Sequence, residues 1–370
     1  MKRIYIILLL LVLFFLFDVG KDFFVKKVFG PKNVEVPIGS IQTKLASNDI
    51  EIVAEKLNIP WEIAFLPSGE LLVTERAGKL LKIGKETQTI AEIKGVSHIG
   101  EGGLLGMALD PKFSDNNFIY LYSTTGVKSD LKNRVERYRL NGEELLDPKV
   151  ILDGIKGSSN HDGGRISFGP DGLLYITTGD AEEPKLAQDK NSLNGKILRI
   201  KNDGGIPEDN PFGNAVYSMG HRNPQGIAWD KNGNLWETEH GPSGAQTGND
   251  EVNMITKGGN YGWPDVKGQI TKDGMIPPVI ESGKSDTWAP SGMVIAGDTL
   301  FFAGLRGEAL YELDTSSLRL TSNFKSQYGR LRTVSSDKEG NLYIVTSNKD
   351  GRGKPKNGDD KIIKIPLNKL

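Results

Sequence analysis

The stretch DGLLYIT at residues 171–177 combines a tight-turn signal with a short run of strand-forming residues. Asp-Gly pairs favour reverse turns, and β-branched and aromatic residues favour strands. A second run of this kind, KILRI, follows at residues 196–200. Together the two runs predict an antiparallel pair of β-strands.

The same unit recurs along the chain. Its first strands are predicted at residues 71–74, 118–122, 173–177, 235–238, 299–303 and 342–346. In five of these units a second strand follows, at residues 79–83, 134–138, 196–200, 309–313 and 361–365. The spacing of roughly 40 to 65 residues is typical of four-stranded propeller blades. We therefore predict an all-β fold, a six-bladed β-propeller with four-stranded blades. Two β-sandwiches are the alternative, although they would not need so regular a repeat.

Composition excludes several classes of function. The 370 residues carry a formal net charge of −1, so no basic excess exists to attract nucleic acid. The chain contains no cysteine, which excludes disulfides, thiolate metal sites and thiol nucleophiles.

The N-terminus resembles an export signal, because Lys2 and Arg3 precede an apolar run at residues 4–17. The run is short for a membrane span, and no small-residue cleavage site follows it. A cleaved signal peptide and an uncleaved membrane anchor both stay open. We expect the signal or anchor at residues 1–20, a linker at 21–45 and the propeller at 46–370. The location would be extracytoplasmic, either periplasmic or at the cell surface.

His161 is the first candidate for chemistry, since it lies in the glycine-rich segment NHDGGR at residues 160–165. In a hairpin, Asp180 would return close to it after one strand. A carboxylate beside an imidazole fixes the tautomer and raises the basicity, as a general base requires. The alternative is a turn aspartate and an ordinary loop histidine.

Two further loops carry candidate ligand-binding groups. Arg222 and Asn223 stand in GHRNPQG (residues 220–226) and suit a flat, anionic, oxygen-rich ligand, unless this is only a polar turn. Gly241 and Pro242, followed by Glu251, offer carbonyl and carboxylate oxygens of the kind that Ca²⁺ prefers. An acidic surface loop is the alternative for this second segment.

Three arginines complete the set. Arg330 and Arg332 are two residues apart, so on a strand they would face the same side. On an inner strand of a propeller, this pair and Arg306 would suit a ligand with several carboxylates. On a solvated outer strand they would have no such role.

Several of these segments, in this order, resemble the soluble aldose dehydrogenases of the glucose/sorbosone type that use pyrroloquinoline quinone (PQQ). The resemblance runs from about Leu57 to Ile365. It is carried by PWEIAF (60–65), GEGGLLG (100–106), HDGGR (161–165), GHRNPQG (220–226), EHGP (239–242), NYGWP (260–264) and APSG (289–292).

The resemblance implies a role for each matching residue. His161 would be the general base for the sugar C1 hydroxyl, with Asp180 orienting it and Arg222 facing the quinone. The cofactor would be bound by Glu101, His161, Arg222, Asn223, Arg306, Arg330 and Arg332. Glu101 falls where some members use a glutamine to contact the cofactor, and Arg306 falls where a lysine binds a cofactor carboxylate in better-known members. The carbonyls of Gly241 and Pro242 would hold a cofactor-bound Ca²⁺, and Glu251 with the Tyr261 carbonyl a second Ca²⁺.

The implied activity is oxidation of aldose C1 hydroxyls to lactones, with Ca²⁺ polarising PQQ and an external acceptor taking the electrons. A metal-dependent propeller lactonase is one alternative; it would need a cluster of Glu, Asn and Asp on the propeller axis. A non-enzymatic propeller that binds carbohydrate or protein is another.

Overall fold

A computed structural model describes residues 50–242 and 248–367. The predicted signal or anchor (1–20) and linker (21–45) lie outside these residues and stay predictions. Within the described ranges, no helix is long and apolar enough to cross a membrane.

The described residues form six antiparallel sheets of four strands each, which confirms the predicted six-bladed propeller. Five blades are built from consecutive strands. Blade I contains β2 (Pro60–Phe65), β3 (Leu71–Glu75), β4 (Lys79–Ile83) and β5 (Thr87–Glu92). Blade II contains β6 (Leu104–Leu109), β7 (Phe118–Val127), β8 (Asp130–Asn141) and β9 (Glu144–Lys156). Blade III contains β10 (Ile166–Phe168), β11 (Leu174–Thr178), β12 (Lys196–Ile200) and β13 (Val216–Met219).

The second half repeats the pattern. Blade IV contains β14 (Pro224–Trp229), β15 (Leu235–Glu239), β16 (Glu251–Ile255) and β17 (Ile280–Glu281). Blade V contains β18 (Pro290–Ala296), β19 (Thr299–Gly304), β20 (Ala309–Asp314) and β21 (Leu320–Asn323). Blade VI contains β22 (Leu331–Ser336), β23 (Asn341–Thr346), β24 (Ile362–Pro366) and β1 (Glu51–Ala54). Within residues 50–242 and 248–367, one short helix, α1 (Phe113–Asn116), and a 3₁₀ turn (Pro184–Gln188) lie in the loops.

Blade VI closes the ring, because its outermost strand comes from the other end of the chain. β1 pairs antiparallel with β24, with Glu51 opposite Lys364. The first strand of blade I follows directly after β1, so this pairing joins the last blade to the first. The pairing gives blade VI its fourth, outermost strand and so completes the ring of six four-stranded blades.

The core lies between neighbouring blades. Val73 and Leu81 of blade I, for example, form one buried cluster with Tyr343 and Val345 of blade VI. The middle strands are covered on both faces, and β12 is buried at all of its five positions. Apolar runs such as residues 196–200 therefore fit a strand held between two neighbouring sheets.

Candidate active site

The blade order places one set of loops at a common end of the central axis. The first strand of each blade is innermost, and these inner strands contact each other around the axis. Residues just before the inner strands therefore lie at the same end. Residues just after the second strands return to that end, since those strands run antiparallel. Glu101, His161, Arg222, Asn223 and Arg330 belong to the first group. Asp180, His240, Arg306, Asp350 and Arg352 belong to the second.

A cavity of about 520 Å³ opens at this end, within the size range of small-molecule sites. Its charged side chains are five arginines and three carboxylates, together with two histidines. Its walls are formed by Glu101, Asn160, His161, Glu182, Arg222, Gln225, His240, Gly241, Pro242, Asp250, Thr287, Ala289, Leu305, Arg306, Arg330, Arg332 and Arg352.

His161 and Asp180 form a hydrogen-bonded pair on the cavity wall. Nδ1 of His161 lies 2.7 Å from Oδ1 of Asp180, which is fully buried. The same oxygen accepts the Glu182 N–H at 2.9 Å, and Oδ2 accepts the Trp263 indole N–H at 2.8 Å. Both carboxylate oxygens are thus held in place, so the carboxylate can fix the orientation of the imidazole ring.

Glycine makes the close approach of these two loops possible. A Cβ added at Gly179 would lie 1.9 Å from the carbonyl oxygen of His161. His161 itself adopts a left-handed backbone conformation with φ 62°. Gly163 is also left-handed, and a Cβ there would lie 2.6 Å from the Thr177 carbonyl oxygen. The glycines in this motif therefore bring the base loop against the end of β11.

Arg222 lines the cavity, whereas Asn223, the next residue, is fully buried and is not among the lining side chains. The Arg222 guanidinium donates to the His240 carbonyl oxygen at 3.3 Å and lies 5.4 Å from the centre of the Trp263 ring. The Asn223 amide oxygen accepts the Gly163 N–H at 3.1 Å. Both residues are buried, which fits contact residues better than a solvated turn.

Arg330 and Arg332 both face the cavity. Arg330 lies just before β22 rather than on it, and two of its nitrogens donate to Oδ2 of Asp350 at 2.9 and 2.8 Å. Arg332 donates to Oε1 of Gln225 at 2.8 Å. Burial lowers the pKa of Arg332 to about 9, and repulsion by nearby arginines acts in the same direction. Arg306 is exposed on the rim.

Glu101 also reaches the cavity and is paired there. Its Oε1 accepts the Arg352 guanidinium at 2.6 Å, and its Oε2 accepts the His161 backbone N–H at 3.1 Å. Burial alone would raise the pKa of Glu101, but attraction to His240 and Arg352, with these hydrogen bonds, lowers it to about 2. Glu101 is therefore a carboxylate at neutral pH.

Two buried nitrogen atoms on the walls lack a partner among the described residues: Nε of Arg332 and Nε2 of His240. Burial lowers the pKa of His240 to about 4, so its ring is neutral at pH 7. The Arg332 Nε–H is a donor, and an unpaired buried donor is costly in a protein interior. A ligand with several carboxylate or carbonyl oxygens would satisfy such groups, so this wall fits an anionic, oxygen-rich molecule.

The predicted calcium ligands fall in two places. Gly241 and Pro242 line the main cavity, where the Gly241 N–H donates to Oδ1 of buried Asp250 at 2.8 Å. Glu251 and Tyr261 line only a small neighbouring cleft, which Gly241 and Pro242 also border. Burial raises the pKa of Glu251 well above its usual value, and the nearby Glu239 carboxylate adds to this. A cation would relieve that repulsion.

The remaining histidines are not placed on the cavity wall. His221 is fully buried, stacks on Tyr261 with ring centres 4.8 Å apart, and contacts the Ser218 hydroxyl at 2.8 Å. His98 lies in the loop that leads to β6, the inner strand of blade II, and burial lowers the pKa of its ring.

Most of the chain is similar to known proteins. The model of the glucose/sorbosone dehydrogenase family matches residues 57–357. The aldose sugar dehydrogenase YliI of Escherichia coli K12 is 31% identical over 347 residues, covering 83% of this chain and 92% of the relative. The quinoprotein glucose dehydrogenase B of Acinetobacter calcoaceticus is 35% identical over 274 residues, covering 63% of this chain and 56% of that protein.

A solved structure shows the same architecture. The PQQ-bound form of an aldose sugar dehydrogenase from Streptomyces coelicolor superimposes with a TM-score of 0.80 at 39% sequence identity. The alignment covers 86% of this chain and 97% of the other.

Proposed function

The chain belongs to the glucose/sorbosone dehydrogenase family, and from that premise we propose that it oxidises the C1 hydroxyl of aldose sugars to the lactone with PQQ as cofactor. One observation carries the proposal. The His161–Asp180 pair lies on the wall of a cavity that is also lined by five arginines. A candidate general base and a group of arginines that could bind an anion thus line the same cavity.

His161 is the proton acceptor in this proposal. With its Nδ1 proton donated to Asp180, the ring presents Nε2 as the nitrogen that can accept a proton. Removal of the C1 hydroxyl proton by Nε2 would assist departure of the C1 hydride. The Asp180 carboxylate would then stabilise the imidazolium that forms.

The arginines would bind the cofactor carboxylates, with Arg330 and Arg332 on the inner wall and Arg306 at the rim. Bound PQQ would supply the two-electron oxidant that accepts the C1 hydride. Arg222 lines the cavity, and Asn223 holds the loop that carries His161 through the Gly163 N–H, so these are the groups that we expect beside the quinone oxygens. The unpaired Nε of Arg332 supports an anionic ligand here.

Gly241 and Pro242 would hold a Ca²⁺ ion through their carbonyl oxygens, and such an ion would act as a Lewis acid on the cofactor. Glu251 and the Tyr261 carbonyl would hold a second Ca²⁺ in the neighbouring cleft. Support for the second ion comes from the burial of Glu251 beside Glu239, because a cation would offset their repulsion.

The enzyme would work outside the cytoplasm and pass electrons to an external acceptor. The export-like N-terminus supports this location. The lactonase alternative is less well supported. A metal-dependent lactonase has no need of the five arginines on the wall, whereas they suit a tricarboxylate.

The direct test is reconstitution. Purified protein would be incubated with PQQ and Ca²⁺, and reduction of an artificial dye would be followed with a panel of aldoses. We expect aldose-dependent dye reduction that requires PQQ. No cofactor binding and no activity across the panel would contradict the proposal.

A further inference from the structure

We propose that Arg352 is a positioning residue of the cofactor site. Its guanidinium neutralises the Glu101 carboxylate, which would otherwise place an unpaired negative charge on the wall of a site for an anionic cofactor. The inference deepens the proposed function and rests on it. Its basis is the contact between these two side chains, which are 251 residues apart in the sequence.

Arg352 makes a forked contact across the cavity mouth. One terminal nitrogen donates to Oε1 of Glu101 at 2.6 Å, and the other donates to Oδ1 of Asn160 at 2.9 Å. Asn160 directly precedes the base, His161. The guanidinium therefore joins the last blade to the loops of blades II and III in a planar geometry that a lysine cannot reproduce.

Glu101 connects this contact to the site. Its second oxygen accepts the backbone N–H of His161 at 3.1 Å and lies 3.5 Å from the amide nitrogen of Asn223. A shift of Glu101 would therefore disturb both the base loop and a proposed cofactor contact. Arg352 acts on the site through this carboxylate.

The Asp350 carboxylate fixes the turn that carries Arg352 and also binds Arg330, one of the residues proposed to contact the cofactor. Oδ1 of Asp350 accepts the Arg352 backbone N–H at 2.9 Å. Oδ2 of the same residue accepts two nitrogens of Arg330. The loop thus sets the positions of two arginines at once.

The two partners differ in exposure, which makes the inference testable. The Arg352 side chain is 53% exposed, whereas that of Glu101 is only 16% exposed. Removal of Arg352 thus leaves no cavity in the core but leaves a largely buried carboxylate without its cation. In a site for a tricarboxylate, that charge would oppose ligand binding.

A double-mutant cycle measures the effect. PQQ affinity would be determined by calorimetry, in the presence of Ca²⁺, for wild type, Arg352→Ala, Glu101→Gln and the double variant. We expect Arg352→Ala to weaken PQQ binding by about tenfold or more, since coupled charged pairs interact by such amounts. In the Glu101→Gln background, Arg352→Ala should weaken PQQ binding by less than about threefold, because residue 101 then carries no negative charge for Arg352 to neutralise.

Three controls separate this role from a general one. Lys354→Ala removes an exposed positive charge from the same loop and should leave affinity unchanged. Arg352→Lys should restore part of the affinity that Arg352→Ala loses. Urea unfolding of the unliganded variants should show that they remain folded.

Each outcome bears on a different claim. Equal losses from Arg352→Ala in both backgrounds, or no loss in either, would overturn the role of Arg352 while leaving the proposed function intact. Failure of the wild-type protein to bind PQQ would overturn the proposed function, and this inference with it.

Discussion

Oδ2 of Asp180 accepts the indole N–H of Trp263 at 2.8 Å, across 83 residues of sequence. Oδ1 of the same carboxylate contacts Nδ1 of His161 at 2.7 Å. Trp263 comes from the long loop of blade IV, whereas Asp180 follows the second strand of blade III. The orientation of the base thus depends on a contact between two blades.

Trp263→Phe tests the importance of that contact. Phenylalanine keeps an aromatic face for Arg222 but loses the N–H, so one oxygen of a buried carboxylate is left without its donor. We expect kcat/KM for aldose oxidation to fall by about tenfold, with PQQ affinity changed little. Steady-state kinetics and calorimetry would measure both quantities.

Trp229→Phe is the matched control, because Trp229 packs on Tyr175 with ring centres 5.0 Å apart and does not line the main cavity. Equal losses of activity in the two variants would indicate a general effect on stability and would count against a role for Trp263 in orienting the base.

Arg330→Ala should weaken cofactor binding. The variant loses a cation on the cavity wall and also leaves Asp350, whose side chain is 3% exposed, without its partner. Because a hydrogen bond to a charged group contributes a few kcal/mol, we expect PQQ affinity to fall roughly ten- to a hundredfold. Calorimetric titration with PQQ is the measurement.

Arg139→Ala serves as the comparison, since Arg139 forms an ion pair with Asp147 in which both side chains are largely exposed. Its PQQ affinity should equal that of wild type. An unchanged affinity in Arg330→Ala would contradict the proposed arginine site.

The sequence predicted the parts of the fold that have a local signal. Turn residues (Gly, Asn or Asp) followed by apolar runs located the two middle strands of most blades, as at residues 196–200, where the observed strand has the same bounds. The outer strands lack such a signal; β17 has only two residues. The pairing of β1 with β24 joins the two ends of the chain, and no local pattern indicates it.

The same distinction applies to the candidate site. Single motifs identified His161, Arg222 and Asn223, because each stands in a glycine-rich loop. Asp350 and Arg352 were not identified as site residues, since their partners, Arg330 and Glu101, are distant in sequence. Their importance depends on which loops meet when the ring closes. Trp263 belongs to a quoted motif, but only the structure shows its contact with Asp180.

Stability should depend on pH through Asp162. Burial raises the pKa of this carboxyl from 3.8 to about 6, despite hydrogen bonds from Asn133 and Ser158 that act in the other direction. A raised folded-state pKa means that the unfolded state ionises first as pH rises. Ionisation of Asp162 therefore does not lower the free energy of unfolding below pH 3.8, and it lowers that free energy by the full amount above about pH 6. The full cost is of order 3 kcal/mol.

Asp162→Asn removes this titration. We expect the free energy of unfolding of the variant, relative to wild type, to increase between about pH 4 and pH 7. Urea unfolding at several pH values measures the difference, and ionisations shared by the two proteins cancel. A difference that does not change with pH would show that Asp162 titrates normally.

Calcium should stabilise the protein through Glu251. An ion that binds only the folded state raises the melting temperature with its concentration. We expect added Ca²⁺ to raise the Tm of wild type, and Glu251→Gln to reduce that rise. Differential scanning fluorimetry with Ca²⁺ and with a chelator makes the measurement.

Glu312→Gln is the control for this experiment, because Glu312 is a carboxylate that also pairs with an amide, that of Asn323, at 3.1 Å. It should keep the full Ca²⁺ effect. The same Ca²⁺ response in wild type and Glu251→Gln would contradict a calcium site at Glu251.

The most direct test of the account follows the reduction of protein-bound PQQ by an aldose in a stopped-flow spectrophotometer, for wild type and His161→Ala. The account predicts rapid reduction in wild type. In His161→Ala it predicts equal PQQ binding, with reduction slowed at least about a hundredfold by loss of the base. Reduction at the wild-type rate in His161→Ala would contradict the assignment of His161 as the proton acceptor.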